Sequence, residues 1–596
     1  MSSRTRPLHV VAMSEGPSPD SGGVLAEAIT RGEDILIVPM DGQLTAQARE
    51  EMLAVSQLAP RIGAVIPRTE GKGPDGLRSA ELMRRLPRLT YAPLASPAAL
   101  WINGTLLAEF GEIFADGLTR QACARFLMRI NRYGYRLAIA NRAFLDARQE
   151  PGDDMVTNLA SFPEASALLE RYLASPEHRA EILLGELASQ NGSLSILFDL
   201  DHLTERYNGT FEAALAMVNA AAETWPGDVQ IYASAHSHAW RFHRLDRLTR
   251  VQRIDPSDRR RVGVVIRVGQ PYTRADLVRA YSRSPVVVAF LLDAISYDCG
   301  YLSLEFDAEV WRFATQESDL VVTNSTYTLD CIRARFPLGQ DVATLVSRHS
   351  LAPHEYARPS GNPPPNGSIL IIGNGYFHKA VPETADAIVR AGLRRPVVAF
   401  GIPSGAPAPQ GLIAYTAGET DQAVIERLYV EASVVVFPSH YEGFGFPILH
   451  ALGRRRPVVV RDTPLNRELA LHLADRANIH FYSTTKELIV VLSAAIPWQN
   501  AAVEQPENRH TWKNSADEVL VAIHDACDAA NVERLARRLR RLAEMQLPLE
   551  DRLEWLAPEQ RLALKLTPAA KWLFRVPGLR FVWRAARAMF ASGRRI

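Results

Sequence analysis

The stretch FPSHYEGFGFPILHALGRRRPVVVRD, residues 437–462, decides the fold. It follows Val434, Val435 and Val436, and with Phe437 these form a continuous apolar run of the kind found in parallel strands covered on both faces. Gly443 and Gly445 then let backbone N–H groups come close to a ligand, and Pro447 suits the first turn of a helix whose dipole favours an anion. The stretch therefore predicts a buried strand, a glycine-rich bend and a helix N-terminus able to receive a phosphate. An ordinary strand-to-helix turn is the competing reading. Arg454, Arg455 and Arg456 read as a solvated helix end, where cations are favoured.

Working outward, the same strand, turn and helix pattern recurs. SILFDLDHLTERYNGTFEAALAMVNAAAETW predicts a strand over 196–200 and a helix over 210–225, with Asn208 and Gly209 in the turn. Further strands are expected at 262–268, 285–292 and 320–323. A second half opens with SILIIGNGYFHKAVPETADAI, where Gly373 ends a strand and Lys379 follows six residues later. Strand 458–461 leads to a loop carrying Glu468, and residues 508–526 follow with Trp512 and Ser515 near their start. Apolar runs alternating with amphipathic stretches imply βα units and parallel sheets. The charged helical stretch 151–194 and the Pro/Gly/Asn-rich segment 359–368 read as linkers.

These residues resemble the retaining glycosyltransferases of family 4, over about residues 195–526. The family signature is a Glu, seven residues, and a second Glu. Glu442 matches the first, whereas the second position is His450. The resemblance implies a GT-B architecture, an α/β fold of two facing Rossmann-like domains, here 195–358 and 368–507, joined by a crossing helix at 508–529. It also implies roles. Glu442 contacts the donor sugar or its phosphates. Lys379, after Gly373, grips the donor diphosphate, together with N–H groups of Gly443, Phe444 and Gly445. His450 would bond the ribose through a ring nitrogen. Asn208 and Gly209 lie near the diphosphate and the acceptor, and Glu468 matches an acidic position of the family. Where many members carry a His-Asp pair, FLLDAISYDCGYL has Leu292-Asp293, so Asp293 remains as a polar group of the site or as a solvated or capping residue. Lys379, Glu442 and Asp293 are thus the expected catalytic set. No metal and no cofactor beyond the nucleotide-sugar substrate are implied.

The chain has 596 residues, more than one core can serve, and roughly 150 residues per domain suggests three or four. Net charge is +1, which gives no basic excess for nucleic acid. Four cysteines, widely spaced and without a CxxC pair, indicate a reducing compartment. Neither a signal peptide nor a membrane span is read in the sequence, which points to the cytoplasm.

Residues 1–150 resemble, more faintly, the inverting GT-A glycosyltransferases of family 2. The acidic turn reads Asp41-Gly42-Gln43, and the catalytic carboxylate pair is replaced by Ala124-Arg125. A degenerate, non-catalytic domain is expected. Residues 530–596 read as a basic amphipathic helical tail. From 560 to 596 there are nine Lys or Arg and no Asp or Glu, interleaved with Trp572, Phe574, Phe581, Trp583 and Phe590. Such a segment either lies on an anionic membrane surface or packs on the protein with its basic face in water. The expected function is retaining transfer of a sugar from a nucleotide-sugar to a glycan or lipid-linked glycan, in bacterial surface polysaccharide synthesis. The alternative is a non-catalytic relative acting as a glycan-binding or scaffold subunit.

Overall fold

The computed structural model describes residues 8–12, 19–38, 43–70, 84–92, 99–115, 117–146, 164–187, 193–271, 273–303, 306–350, 361–403, 409–417, 420–500 and 510–546. Asp41, the first two residues of the 359–368 linker and residues 547–596 of the tail lie outside them.

The chain folds as α/β on three sheets. The first is mixed, with strands β1 (Leu8–Ala12), β2 (Asp34–Val38), β3 (Gln43–Leu44), β4 (Ile62–Glu70), β5 (Leu89–Ala92), β6 (Leu100–Ile102) and β7 (Arg136–Asp146). Their order is β1-β2-β6-β4-β7-β3, with β5 also on β7. The second sheet is parallel throughout: β8 (Ser195–Asp199), β9 (Gln230–Ser234), β10 (Val251–Ile254), β11 (Val264–Val268), β12 (Val286–Phe290), β13 (Leu320–Thr323) and β14 (Ala343–Val346), in the order β10-β9-β8-β11-β12-β13-β14. The third is also parallel: β15 (Ser368–Ile372), β16 (Val397–Phe400), β17 (Leu412–Tyr415), β18 (Ala432–Phe437), β19 (Val458–Arg461) and β20 (Ile479–Tyr482), in the order β17-β16-β15-β18-β19-β20.

Unbroken apolar runs make these sheets. β12 and β18 bury every residue, as strands covered by helices on both faces must. Each such Val or Phe contributes roughly 1.5–3 kcal/mol. The two parallel sheets form two lobes, each with the βα succession expected from the sequence, and the architecture is the two-lobed one implied by the GT-B resemblance.

One apolar core runs through both lobes, because Phe211 and Trp240 of the first share it with Phe446 and Leu449 of the second. The helix Trp512–Ala529 returns from the second lobe to pack on the helix Gly209–Thr224, and Trp225 Nε1 donates to Ala516 O at 3.0 Å. Trp512 packs at 4.9 Å on His349, which in turn stacks on Phe446 at 5.2 Å. Burial, and then His510, push the His349 pKa down to about 3, so the ring is a neutral core residue.

The stretch read as a helical linker contains the helices Glu164–Leu173 and Pro176–Gly185, and the second buries Leu183 and Leu184 in the shared core. It packs on the last helix among the described residues, Val532–Gln546. That helix is Arg-rich, as a surface-seeking segment would be, yet Arg534 and Arg538 point inward onto the buried carboxylate of Asp319. Among the described residues, no helix is long and apolar enough to cross a membrane.

Candidate functional site

The site is built where the C-terminal ends of β15 and β18 face the first lobe. After β15 the chain passes Gly373 and a short 3₁₀ turn, Phe377–Lys379, before the helix Val381–Arg390. Gly373 has no room for a side chain, since an added Cβ would fall 2.6 Å from Val381 Cγ2. After β18 the chain makes the predicted bend and enters the helix Phe446–Gly453. Gly445, at φ +121°, takes a conformation that favours glycine. The two loops are tied together: His440 N–H donates to His378 O at 2.8 Å, and Ser439 Oγ to the same carbonyl at 3.3 Å.

This backbone brings Lys379 and Glu442 together. Lys379 Nζ lies 2.5 Å from Glu442 Oε1, with side chains 15% and 12% exposed. The ammonium has three N–H donors and Glu442 takes one, so charge-assisted donor capacity is left for a second anion.

Asp293 faces this pair from the other lobe. Its Oδ1 accepts from Ile295 N–H at 3.0 Å. Burial raises its pKa and outweighs the bonds from Ile295 and Gln270 and the nearby Lys379, all of which lower it. The missing His of the usual pair is Leu292, whose carbonyl instead receives Asn324 Nδ2 at 2.9 Å.

Gly443 lies against the first lobe. Its carbonyl accepts from Thr328 Oγ1 at 3.0 Å and Ser325 Oγ at 3.3 Å. A Cβ on Gly443 would sit 2.0 Å from Leu292 O and 2.9 Å from Asp293 Cβ. A backbone carbonyl cannot rotate away as a flexible side chain can. Gly443→Ala is therefore expected to force the lobes apart while each lobe stays folded; small-angle scattering should show a larger radius of gyration, and an unchanged radius would contradict this.

The other expected site residues are placed as follows. Asn208 caps the helix Gly209–Thr224, its Oδ1 accepting from Phe211 N–H at 2.8 Å, and a Cβ at Gly209 would lie 3.5 Å from the Phe446 ring. The turn carrying them rests on buried charges, with Arg267 bonded to Asp199 at 2.9 Å and Arg279 paired with Asp201 at 2.8 Å. Phe444 points into the core, 6% exposed and packed on His349, so only its backbone is available to a ligand. His450 Nε2 lies 3.0 Å from Glu212 Oε1 of the first lobe.

Glu468 sits on the helix Pro464–Leu471, not in the expected loop. Its carboxylate accepts from Thr326 and Tyr327 N–H, at 2.7 and 2.8 Å, and so caps the helix Thr326–Arg335 of the facing lobe. As first-turn amides of that helix they have no partner within it. This role satisfies the carboxylate within the protein.

The three arginines after the helix need correction. Arg454 and Arg456 are each 2% exposed, and of the three only Arg455 is solvated. Arg454 bonds Glu426 at 2.5 Å and donates to His450 O at 3.0 Å. Arg456 donates to Tyr429, Val430 and Gly361 carbonyls at 3.1, 2.7 and 2.9 Å. The five-donor guanidinium fork is here used to satisfy chain ends that a core leaves open.

Sequence reasoning missed the contacts across the junction. Tyr441 donates to Asp298 Oδ2 at 2.5 Å, and Asp298 also pairs with Arg335 at 2.6 Å. Glu212 and Thr328 also bond across the junction. No local pattern marks them, since their partners are more than 100 residues away in sequence.

Comparison with known proteins agrees with the second lobe. Residues 376–485 match the family model "Glycosyl transferases group 1". The serotype-specific mannosyltransferase WbdA of Escherichia coli is 31% identical over 107 residues, 17% of this chain and 12% of the relative. A further WbdA sequence is 30% identical over 102 residues, again 12% of its length. The chain thus matches about an eighth of these curated relatives. Solved structures that match include Anabaena Alr3699/HepE in complex with UDP and glucose, at 13% identity over 59% of this chain and 100% of that one, TM-score 0.37. Another is WaaG, a glycosyltransferase involved in lipopolysaccharide biosynthesis, at 14% identity, 56% and 99% coverage, TM-score 0.37. The stretch that matches this family model holds Lys379, Glu442, His450 and Glu468.

Proposed function

We propose that this protein transfers a hexosyl group from a nucleotide-sugar to a glycan or lipid-linked glycan, with retention at the anomeric carbon, in bacterial surface polysaccharide synthesis. The observation that carries this reading is the Lys379–Glu442 pair at a glycine-rich, amide-lined bend, with Asp293 facing it from the other lobe. The group 1 match and the similarity to a mannosyltransferase support the same class.

In the reaction the bond between the sugar C1 and the diphosphate oxygen breaks, with the electron pair staying on that oxygen, and an acceptor hydroxyl bonds to C1 and gives its proton to the departing diphosphate. Negative charge grows on the departing diphosphate. Lys379 and the N–H groups after Glu442 stabilise that charge in place, which is preorganised electrostatic catalysis without a metal. Glu442 holds the ammonium in position and, beside Asp293, offers carboxylates to the sugar hydroxyls. Closure of the lobes excludes water from the activated donor.

A non-catalytic reading draws on His450, which is engaged by Glu212 and Arg454. One experiment separates the two. Nucleotide-sugars, GDP-mannose and UDP-glucose included, are screened for a rise in melting temperature, and transfer is measured with Glu442→Ala alongside. The proposal expects a shift with at least one donor and loss of transfer in the variant; no shift with any donor contradicts it.

Residues 1–150 serve in this reading as a non-catalytic scaffold, docked by Arg85 onto the Cys527 carbonyl at the end of the crossing helix. The tail joins the enzyme to an anionic cytoplasmic membrane face, where a lipid-linked acceptor is presented. Deleting residues 571–596 is expected to move the protein from the membrane to the soluble fraction, and unchanged partitioning would contradict the attachment.

A further inference from the structure

Beside Lys379 the protein holds aromatic rings open to solvent. Phe377 is 74% exposed and Tyr376 51%, while Tyr301, from the facing lobe, is 38% exposed. A phenylalanine that open gains little of the roughly 1.5–3 kcal/mol its burial would supply, and contiguous apolar surface of this kind marks an interaction site. The rings are arranged against one another. Tyr301 stands edge-on to Phe377 with centroids 5.2 Å apart, and Tyr376 stacks on His378 at 5.7 Å and 15°. The Tyr301 hydroxyl and His378 Nδ1 are 2.8 Å apart, so the cluster is complete only where the lobes meet.

The charge of the surface narrows its ligand. Burial, and then the neighbouring Lys379, push the His378 pKa down to about 4, so at neutral pH the ring is uncharged. Lys379 itself is paired with Glu442. Anionic lipids and nucleic acids are drawn by cations that these rings do not supply. A pyranose ring is neutral, turns a face of C–H groups toward an aromatic π cloud, and carries hydroxyls that phenols and imidazole can bond.

We propose that Tyr301, Tyr376 and Phe377 form a stacking platform for a neutral pyranose residue of the acceptor glycan, assembled when the two lobes meet beside Lys379. This rests on the glycosyl-transfer reading for the word acceptor; the binding of a neutral sugar ring does not.

The test uses the full chain and two probes, mannotetraose and maltotetraose, in saturation-transfer difference NMR, with nucleotide-sugar melting shifts recorded in parallel. Wild type is expected to transfer saturation to the ring protons of at least one oligosaccharide. The signal should fall fivefold or more in Phe377→Ala and persist in Phe377→Trp, while the nucleotide-sugar shift stays as in wild type. Tyr301→Phe, which keeps the ring but loses the bond to His378, checks that an intermediate loss follows from a looser platform. No saturation transfer in wild type, or equal signal in Phe377→Ala, overturns the proposal, as does loss of the nucleotide shift in Phe377→Ala, which would assign the rings to the nucleobase. If nucleotide-sugars give no shift in any form but the oligosaccharide signal still falls in Phe377→Ala, the platform stands and the transfer reading fails.

Discussion

Lys379→Ala is expected to lower kcat on the order of 10²- to 10³-fold, the usual cost of removing one preorganised donor from developing negative charge. The reason is local. Lys379 is the ammonium at the bend, and its loss leaves the Glu442 carboxylate, 12% exposed, to face a departing diphosphate of like charge. Both changes act on the transition state more than on the ground state, so kcat should fall further than KM rises. Lys379→Arg keeps the charge but not the compact point geometry, and should recover only part of the loss. Steady-state transfer with saturating donor reads the effect; a variant within threefold of wild type would remove Lys379 from the chemistry.

Arg538→Ala should be the most destabilising single substitution on the last helix. Its side chain is fully buried and donates to Asp319 Oδ2 at 2.8 Å and to the carbonyls of Ser284 and Pro285 at 3.0 and 2.9 Å. Asp319 is itself 1% exposed, with Arg534 the other cation near it, at 3.3 Å. Removing one partner of a buried pair costs roughly 3–5 kcal/mol, because the remaining charge stays out of water. Denaturant unfolding of the first lobe should show that loss. Arg538→Met with Asp319→Asn, which removes both charges, should recover part of it; a loss below about 1 kcal/mol for Arg538→Ala would mean that water reaches Asp319.

That helix also shows where reading the sequence stops. VERLARRLRRLAEMQ, an arginine-rich amphipathic run, was expected to belong to a surface tail, and its pattern is correct for a surface. Its fate depends on Asp319, more than 200 residues earlier, whose buried carboxylate draws two of the arginines inward. Arg454 and Arg456 turn inward for the same kind of reason, the partners being Glu426 and carbonyls at the ends of other elements. Charge alone does not say whether a counter-group waits inside.

The two parallel lobes, by contrast, were legible because their strands are continuous apolar runs that need no distant partner to be recognised. The bend at Gly443 and Gly445 and the spacing from Gly373 to Lys379 were legible too, since backbone constraints act locally. The pairing of Lys379 with Glu442 was not, because it depends on β15 and β18 being neighbours in the sheet. What residues such as Glu212, Ser325, Thr328 and Asp298 do across the junction was not legible, because it depends on how the lobes meet. Glu468 is intermediate: its acidic character is legible, but its work as a cap for a helix of the other lobe depends on the three-dimensional fold.

The central claim is that a donor diphosphate is held at the junction by Lys379 and the bend beside Glu442. A crystal structure of the protein with a bound nucleoside diphosphate, UDP or GDP, tests it most directly. The β-phosphate is expected within hydrogen-bond distance of Lys379 Nζ and of backbone N–H groups at residues 443–445. A diphosphate bound elsewhere, with the Lys379–Glu442 pair left undisturbed, would contradict it.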